Sequence, residues 1–203
     1  MLALPESRPA SLLALLCLGL IAVTSLGVNP TPSFAQDDAT SIQLPNPDGR
    51  DPVFDRSQRD QLIEIDFVNL ADGTDRSLDD LPAQLRLINF WATWCAPCIR
   101  ELPSLSGLAE QFPESVLRVV AISLDRAELG DVSDFLSELD VPGVEWFVDQ
   151  SRQSGEDSNV IVLPTTLFVD VQGRELGRVV GSPDWESAEA VSLIKELLAS
   201  DVD

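Results

Sequence analysis

The sequence predicts an α/β fold in which one mixed central sheet is flanked by helices. Residues 84–91 and 116–124 are compact apolar runs with the length of buried strands. Each is followed by a segment that can form a helix, and two further strands, Thr165–Asp170 and Glu175–Val180, meet at a turn containing Gly173. Strands that alternate with helices and end in a hairpin favour a sheet with both parallel and antiparallel neighbours.

Residues 1–35 are predicted to be a signal peptide or a membrane anchor. An uncharged, mostly apolar run covers 11–28, and Ser33-Phe34-Ala35 has the small-x-small pattern of a cleavage site. Cleavage after Ala35 is the preferred interpretation. A retained anchor is the alternative, because a run of about 18 residues is just long enough to cross a bilayer. Cys17 lies inside this run and is interpreted as an apolar filler.

Residues 36–60 are predicted to be a disordered linker. The segment is acidic, contains Pro45, Pro47 and Pro52, and shows neither a helical nor a strand period. The folded domain is therefore expected to cover residues 61–203.

The domain is expected to begin with a hairpin extension. Residues 62–70 alternate in polarity and are followed by the turn residues Ala71 to Thr74. Helices are predicted from about Pro97 to Gln111, where Pro97 suits a first turn, and over 132–139 and 185–198. Another strand is predicted over 144–148.

Composition excludes several classes of function. The chain has no histidine, which rules out Ser-His-Asp and Cys-His catalysis and imidazole metal ligands. Its formal net charge of −21 argues against nucleic acid as a partner, because phosphate binding needs a basic surface. Cysteine chemistry is what remains, and removal of 1–35 would leave only Cys95 and Cys98.

These two cysteines are spaced as a redox pair. Cys95-Ala96-Pro97-Cys98 follows a buried strand and opens a helix, so that both sulfurs lie within disulfide reach. A helix N-terminus favours a thiolate at Cys95, and Cys98 is expected to be more buried. An inert disulfide is the alternative, although so short a loop would stabilise little. A structural zinc site needs four ligands, and the processed chain has two cysteines and no histidine.

Two segments carry a resemblance to a known family. Asn89-Phe90-Trp91-Ala92-Thr93-Trp94-Cys95-Ala96-Pro97-Cys98-Ile99-Arg100-Glu101-Leu102-Pro103 resembles the active-site segment of exported thioredoxin-like reductases of the TlpA/ResA type. Leu163-Pro164-Thr165-Thr166-Leu167-Phe168-Val169-Asp170 is similar to the second conserved segment of that family. The likeness extends over about 62–198 and keeps the order of the family throughout.

The resemblance implies a thioredoxin-like fold and a set of site residues. Cys95 is the attacking nucleophile, Cys98 the resolving thiol, and Pro164 a cis-proline beside the disulfide. The substrate-binding residues expected around them are Trp94, Ala96, Pro97, Leu163, Pro164 and Thr165. The Cys95–Cys98 disulfide is the redox group, with no metal and no other cofactor.

Glu101 is the third catalytic residue that the resemblance implies, and its role stays open. It matches an acid of the subfamily and could exchange a proton with Cys98. It could equally be a first-turn acid that the helix dipole favours. Asn89 stands where ordinary thioredoxins carry a buried aspartate, which shifts weight towards Glu101.

The leading hypothesis is a thiol–disulfide oxidoreductase that reduces protein disulfides outside the cytoplasm. The likeness points to substrates of cytochrome c or copper-site maturation, in the periplasm or at the outer face of the cytoplasmic membrane. An upstream membrane thiol reductant would restore the dithiol. The one expected contact with the membrane is the N-terminal anchor, if it is retained. The protein is expected to be a monomer. A disulfide-donating oxidase and a non-catalytic binding or chaperone module are the alternatives.

Overall fold

A computed structural model describes residues 42–200, so the predicted signal peptide or anchor lies outside the described residues. The strands are β1 (Phe54–Asp55), β2 (Asp66–Asn69), β3 (Asp75–Ser77), β4 (Leu85–Trp91), β5 (Leu117–Ser123), β6 (Val144–Val148), β7 (Thr165–Asp170) and β8 (Glu175–Val180). The helices are α1 (Ala96–Ala109), α2 (Leu129–Ser137), α3 (Gln153–Asp157) and α4 (Ala188–Ser200), with a short 3-10 turn at Leu78–Asp80.

All eight strands belong to one mixed sheet, in the order β1-β8-β7-β4-β5-β6-β2-β3. The pairs β4–β5 and β5–β6 are parallel, and the other neighbours are antiparallel. Every residue of β4 is buried, as expected for a central strand covered on both faces. The predicted α/β fold with a mixed sheet, a first hairpin and a last hairpin is confirmed.

The two faces of the sheet carry separate apolar cores. One core gathers alternate strand residues, such as Leu87 and Phe168, under the apolar faces of α1, α2 and α4. The other core gathers the intervening strand residues, such as Ile88, and is covered by Ile63, Ile65 and the 3-10 turn. Alternation along buried strands therefore supplies both cores at once. Among residues 42–200 no helix is long and apolar enough to cross a membrane.

The predicted disordered linker is wrong from residue 42 onward. Leu44 is fully buried in the helix-covered core, and the ring of Phe54 packs edge-on against Phe168 with centroids 5.2 Å apart. The segment also closes a small hairpin, since Leu44 N–H donates to the carbonyl of Pro52 at 2.9 Å. Leu44 and Phe54 are isolated apolar residues among acids and prolines and form no periodic pattern. The local sequence therefore did not predict that they enter the core.

Helix boundaries differ from the predictions by a few residues. The last helix begins at Ala188 and not at Trp185, because Ser187 ends the preceding turn and its hydroxyl accepts from the amide of Ala190 at 3.2 Å. The polar stretch 151–159, for which no element was predicted, contains the short helix α3. Trp185 therefore lies in the connection between β8 and α4, where it is fully buried.

Candidate functional site

The site is built around a disulfide between Cys95 and Cys98 at the start of α1. The two Cα atoms are 5.3 Å apart, and the S–S bond is formed. Cys95 is the N-cap residue and is 5% exposed, whereas Cys98 is completely buried. The amide of Cys98 donates to Cys95 Sγ at 3.4 Å, so an unpaired helix N–H points at the sulfur nearer the surface. Such a position stabilises negative charge on sulfur.

A buried aspartate holds the loop that leads to the disulfide. Asp125, just after β5, accepts from the backbone N–H of Thr93 at 2.8 Å and from its hydroxyl at 3.0 Å. Ser123 adds a third hydrogen bond to the same carboxyl at 2.7 Å. This anchor fixes the backbone two residues before Cys95. The sequence analysis missed Asp125, for which an acid directly after a buried strand was the available signal.

The predicted cis-proline lies at the same edge of the sheet as the disulfide. The Leu163–Pro164 peptide bond is cis. Strand β7 begins at Thr165, which pairs with Phe90 near the end of β4. Because the two strands are antiparallel, the segment that leads into β7 from Pro164 and the segment that leaves β4 towards Cys95 lie at the same edge of the sheet. Pro164 and Thr165 are buried, and the Thr165 hydroxyl donates to the carbonyl of Val162 at 2.7 Å.

The remaining predicted contact residues are accessible to a partner. Ala96 and Pro97 are exposed, and Trp94 is 64% exposed. Trp94, the residue before Cys95, and Leu163 line one cavity of about 260 Å³ together with residues of α3. Trp91, in contrast, lies fully buried beneath the site and packs against Trp146.

Glu101 is buried one helical turn beyond Cys98. It is the sixth residue of α1 and 2% exposed, so the interpretation as a first-turn acid favoured by the helix dipole is wrong. Asn89 Nδ2 donates to Glu101 Oε1 at 2.8 Å, and Trp185 Nε1 donates to Oε2 at 3.0 Å. Burial raises the pKa of Glu101 from 4.5 to about 8, and these two hydrogen bonds oppose part of that rise.

The two donors to Glu101 come from distant parts of the chain. Asn89 on β4 donates a second hydrogen bond to Thr166 Oγ1 on β7 at 2.9 Å. Trp185, which the predicted helix over 185–198 would have started with, is fully buried before that helix and donates to Glu101. No local sequence signal links Trp185 to Glu101, since 84 residues separate them.

The assembled site has the chemistry of thiol–disulfide exchange. It combines a disulfide at a helix start, an accessible surface beside it, and a buried carboxyl able to hold or release a proton near neutral pH. The roles assigned to the individual residues stay predictions. Within the part of the chain described, no group of three or more His, Cys, Asp and Glu side chains is arranged to hold a metal ion.

Comparison with known proteins finds sequence relatives for more than half of the chain. The family model described as AhpC/TSA family matches residues 60–174. The thiol-disulfide oxidoreductase ResA of a Bacillus cereus strain is 27% identical over 118 residues, which are 58% of this chain and 67% of ResA. The thiol:disulfide interchange protein HelX of Rhodobacter capsulatus is 36% identical over 111 residues, 55% of this chain and 59% of HelX.

A solved structure agrees with the fold. The solution structure of a thiol:disulfide interchange protein from Bacteroides sp. superimposes with a TM-score of 0.58 and 18% identity, covering 70% of this chain and 91% of that one. At this level of identity the likeness supports the thioredoxin-like architecture alone.

Proposed function

The chain belongs to the AhpC/TSA family, and from that premise we propose that it is a thiol–disulfide oxidoreductase that reduces protein disulfides outside the cytoplasm. The observation that carries the proposal is the Cys95–Cys98 pair at the start of α1, in which Cys95 keeps 5% of its surface exposed and Cys98 keeps none. This asymmetry suits one sulfur that meets a substrate and one that resolves the product.

The reaction begins with the reduced pair. The Cys95 thiolate attacks one sulfur of a substrate disulfide, which forms a mixed disulfide and releases the other substrate sulfur as a thiolate. Cys98 then loses its proton and attacks Cys95 Sγ, which closes the Cys95–Cys98 disulfide and releases the second substrate thiolate. Two electrons have passed from the protein to the substrate, and a separate thiol reductant must return them.

Glu101 is the group proposed to take the proton of Cys98. It lies one helical turn beyond that cysteine, and its carboxyl is shielded from bulk water. A pKa raised to about 8 leaves the carboxyl ready to change its charge near neutral pH, which is the condition for an efficient general base or acid. The proton can later pass to a departing thiolate or to water.

The contact residues proposed for the substrate are those beside the disulfide. Trp94, Ala96 and Pro97 present accessible surface on one side. Leu163, Pro164 and Thr165 supply the other side, where an extended substrate segment could lie against the backbone. The finer proposal for substrates, from the resemblance to the TlpA/ResA type, is proteins of cytochrome c or copper-site maturation.

The proposed location outside the cytoplasm rests on the first 35 residues, with their uncharged run and Ser33-Phe34-Ala35 site. An exported oxidoreductase there needs a membrane thiol reductant as a second partner. The formal charge of −21 favours protein over nucleic acid as the substrate.

A trapping experiment tests the exchange reaction. Cys98→Ala should leave Cys95 able to attack but unable to be released, so mixed disulfides with exported proteins accumulate and can be identified. Cys95→Ala is the matched control and should trap none of these partners. Absence of any trapped protein, with the variant folded, would refute the proposal and favour a binding module without turnover.

The direction of electron flow has its own measurement. A reductant of protein disulfides is expected to have a reduction potential below about −200 mV, whereas an oxidant that donates disulfides lies above about −150 mV. Equilibration of the Cys95–Cys98 pair with glutathione buffers gives this potential. A value in the upper range would replace the proposed reductase with the oxidase.

A further inference from the structure

Among residues 42–200, two side chains donate hydrogen bonds to the carboxyl group of Glu101, and neither of them is charged. Asn89 approaches Oε1 from β4, Trp185 approaches Oε2 from the connection before α4, and Thr166 on β7 is reached through Asn89. Cys98, one turn earlier on α1, is held in the disulfide. The protonation state of Glu101 is therefore governed by burial and by hydrogen bonds from neutral donors.

Asn89 and Trp185 differ in whether their side chains can also accept a hydrogen bond. An indole N–H is a donor only, so Trp185 can satisfy Oε2 but can never receive a proton from it. An amide side chain has both a donor and an acceptor end, so Asn89 can turn either end towards Oε1. Asn89 Oδ1 is buried and has no hydrogen-bond partner among the described residues. Turning the amide would offer this free acceptor to an O–H on Oε1.

Trp185 is held firmly enough to impose this asymmetry. Its side chain is completely buried, and its ring packs on Phe168 with centroids 6.1 Å apart. Its backbone N–H donates to Ser104 Oγ at 3.3 Å, and the same hydroxyl donates to the carbonyl of Glu101 at 2.9 Å. Backbone and indole of Trp185 are thus both tied to the turn of α1 that carries Glu101.

We propose that Trp185 is a positioning residue for Glu101: its indole holds Oε2 as an acceptor and so confines the exchangeable proton to Oε1, beside Asn89. The carboxylate then accepts from the Asn89 amide nitrogen, and the neutral acid donates to the turned amide oxygen. Thr166 can hydrogen-bond to Asn89 in both states, because its hydroxyl can accept from Asn89 Nδ2 or donate to Asn89 Oδ1. This inference rests on the proposed function, in which Glu101 exchanges a proton with Cys98.

The first test observes the indole of Trp185 directly in the oxidised full-length protein. The chain has four tryptophans, so its indole N–H resonances are few, and that of Trp185 can be assigned through its contact with the ring of Phe168. We expect this resonance to shift with pH around a midpoint of about 8, as Glu101 titrates. Glu101→Gln should abolish the shift. A Trp185 resonance that stays constant, or that titrates unchanged in Glu101→Gln, overturns the proposal.

The second test measures the Glu101 carboxyl itself by carbon-13 resonance. Trp185→Phe keeps most of the ring but removes the donor to Oε2, which disfavours the carboxylate. We expect the midpoint of Glu101 to rise by about one pH unit or more, the size of one hydrogen bond to a charged group. Trp146→Phe, on β6, is the matched control and should leave the midpoint unchanged. An unchanged midpoint in Trp185→Phe, or an equal rise in both variants, refutes the positioning role.

Exchange kinetics separate this inference from the proposed function. Trp185→Phe should move the pH profile of disulfide exchange to higher pH, and it should have no such effect in the Glu101→Gln background. A shift of equal size in that background would show that Trp185 acts through packing and would overturn the inference. Loss of exchange in wild type at every pH, with the indole titration intact, would refute the proposed function while supporting the coupling of Trp185 to Glu101.

Discussion

Glu101 and Glu175 are two glutamates with nearly the same burial and opposite surroundings. Glu175, on β8, is 0% exposed, and both of its oxygens accept from the guanidinium of Arg178, at 2.7 and 2.6 Å. Glu101 is 2% exposed, and among residues 42–200 it accepts side-chain hydrogen bonds from the neutral groups of Asn89 and Trp185. The counter-charge of Arg178 makes Glu175 one half of an ion pair, whereas the structure gives Glu101 no ion-pair partner in the described part of the chain.

The contrast teaches that burial alone does not identify a functional acid. A buried ion pair is costly to break, because one partner is left as an unpaired charge. A buried carboxyl held by neutral donors can change its protonation state without leaving such a charge behind. The distinction between the two glutamates therefore lies in the charge of their hydrogen-bond partners.

The largest expected effect is the loss of the counter-charge on Glu175. Arg178→Met should lower the free energy of unfolding by about 3–5 kcal/mol, because the Glu175 carboxylate stays buried without a partner. Denaturant unfolding of the oxidised protein measures the change. The double variant Arg178→Met, Glu175→Leu is the control and should recover most of the loss. A single variant as stable as wild type would contradict a structural role for this pair.

A smaller effect is expected at Glu101, and it is measured as a reaction rate and not as a free energy of unfolding. Glu101→Gln resembles the neutral acid, because its amide can donate to Asn89 Oδ1 while its oxygen accepts from Trp185. We expect a folded protein whose mixed disulfides are resolved about 100-fold more slowly, a typical contribution of a general base. Single-turnover reduction of a disulfide-bridged peptide measures the rate. Wild-type rates in this variant would show that Glu101 is as structural as Glu175.

The smallest expected effect, when it is expressed per pH unit, is the pH dependence of the free energy of unfolding. The folded pKa of Glu101, about 8, lies above its ordinary value of 4.5, so the folded protein binds more protons than the unfolded chain between these values. The unfolding free energy should then fall as pH rises from about 4.5 to 8, by at most about 1.4 kcal/mol per pH unit, and no further above it. Unfolding of the oxidised protein at several pH values checks the slope.

The matched variants decide where that slope originates. Glu101→Gln should lack the contribution, whereas the double variant Arg178→Met, Glu175→Leu should keep it, since Glu101 is untouched. Equal pH dependence in wild type and Glu101→Gln would mean that the carboxyl of Glu101 does not titrate in this range.

Much of the fold was accessible to the sequence analysis because strand patterns are local. A few neighbouring residues are enough to predict the strand that ends at Trp91 and the hairpin that turns at Gly173. The structure has this strand and this hairpin where they were predicted. The Cys95–Cys98 disulfide was accessible for the same reason, since three residues of spacing determine its reach. The cis bond before Pro164 followed from the resemblance and is present.

Contacts between distant segments escaped this reasoning. Leu44 enters the core from a stretch with no periodic pattern, and Asp125 reaches back to the backbone of Thr93 across 32 residues. Their partners are set by how strands and loops are arranged in space, which no window of sequence contains.

By itself, the sequence determined the central strands with the helices that follow them, the redox pair at a helix start and the exclusion of histidine chemistry, because each depends on residue type and short spacing. The tertiary structure alone decided the environment of Glu101. A carboxyl changes its proton affinity according to water, charge and donors within a few ångströms, and here Asn89 and Trp185 bring those donors from 12 and 84 residues away. Chain distance carries no such information, so only the fold could exclude the interpretation of Glu101 as a first-turn acid favoured by the helix dipole.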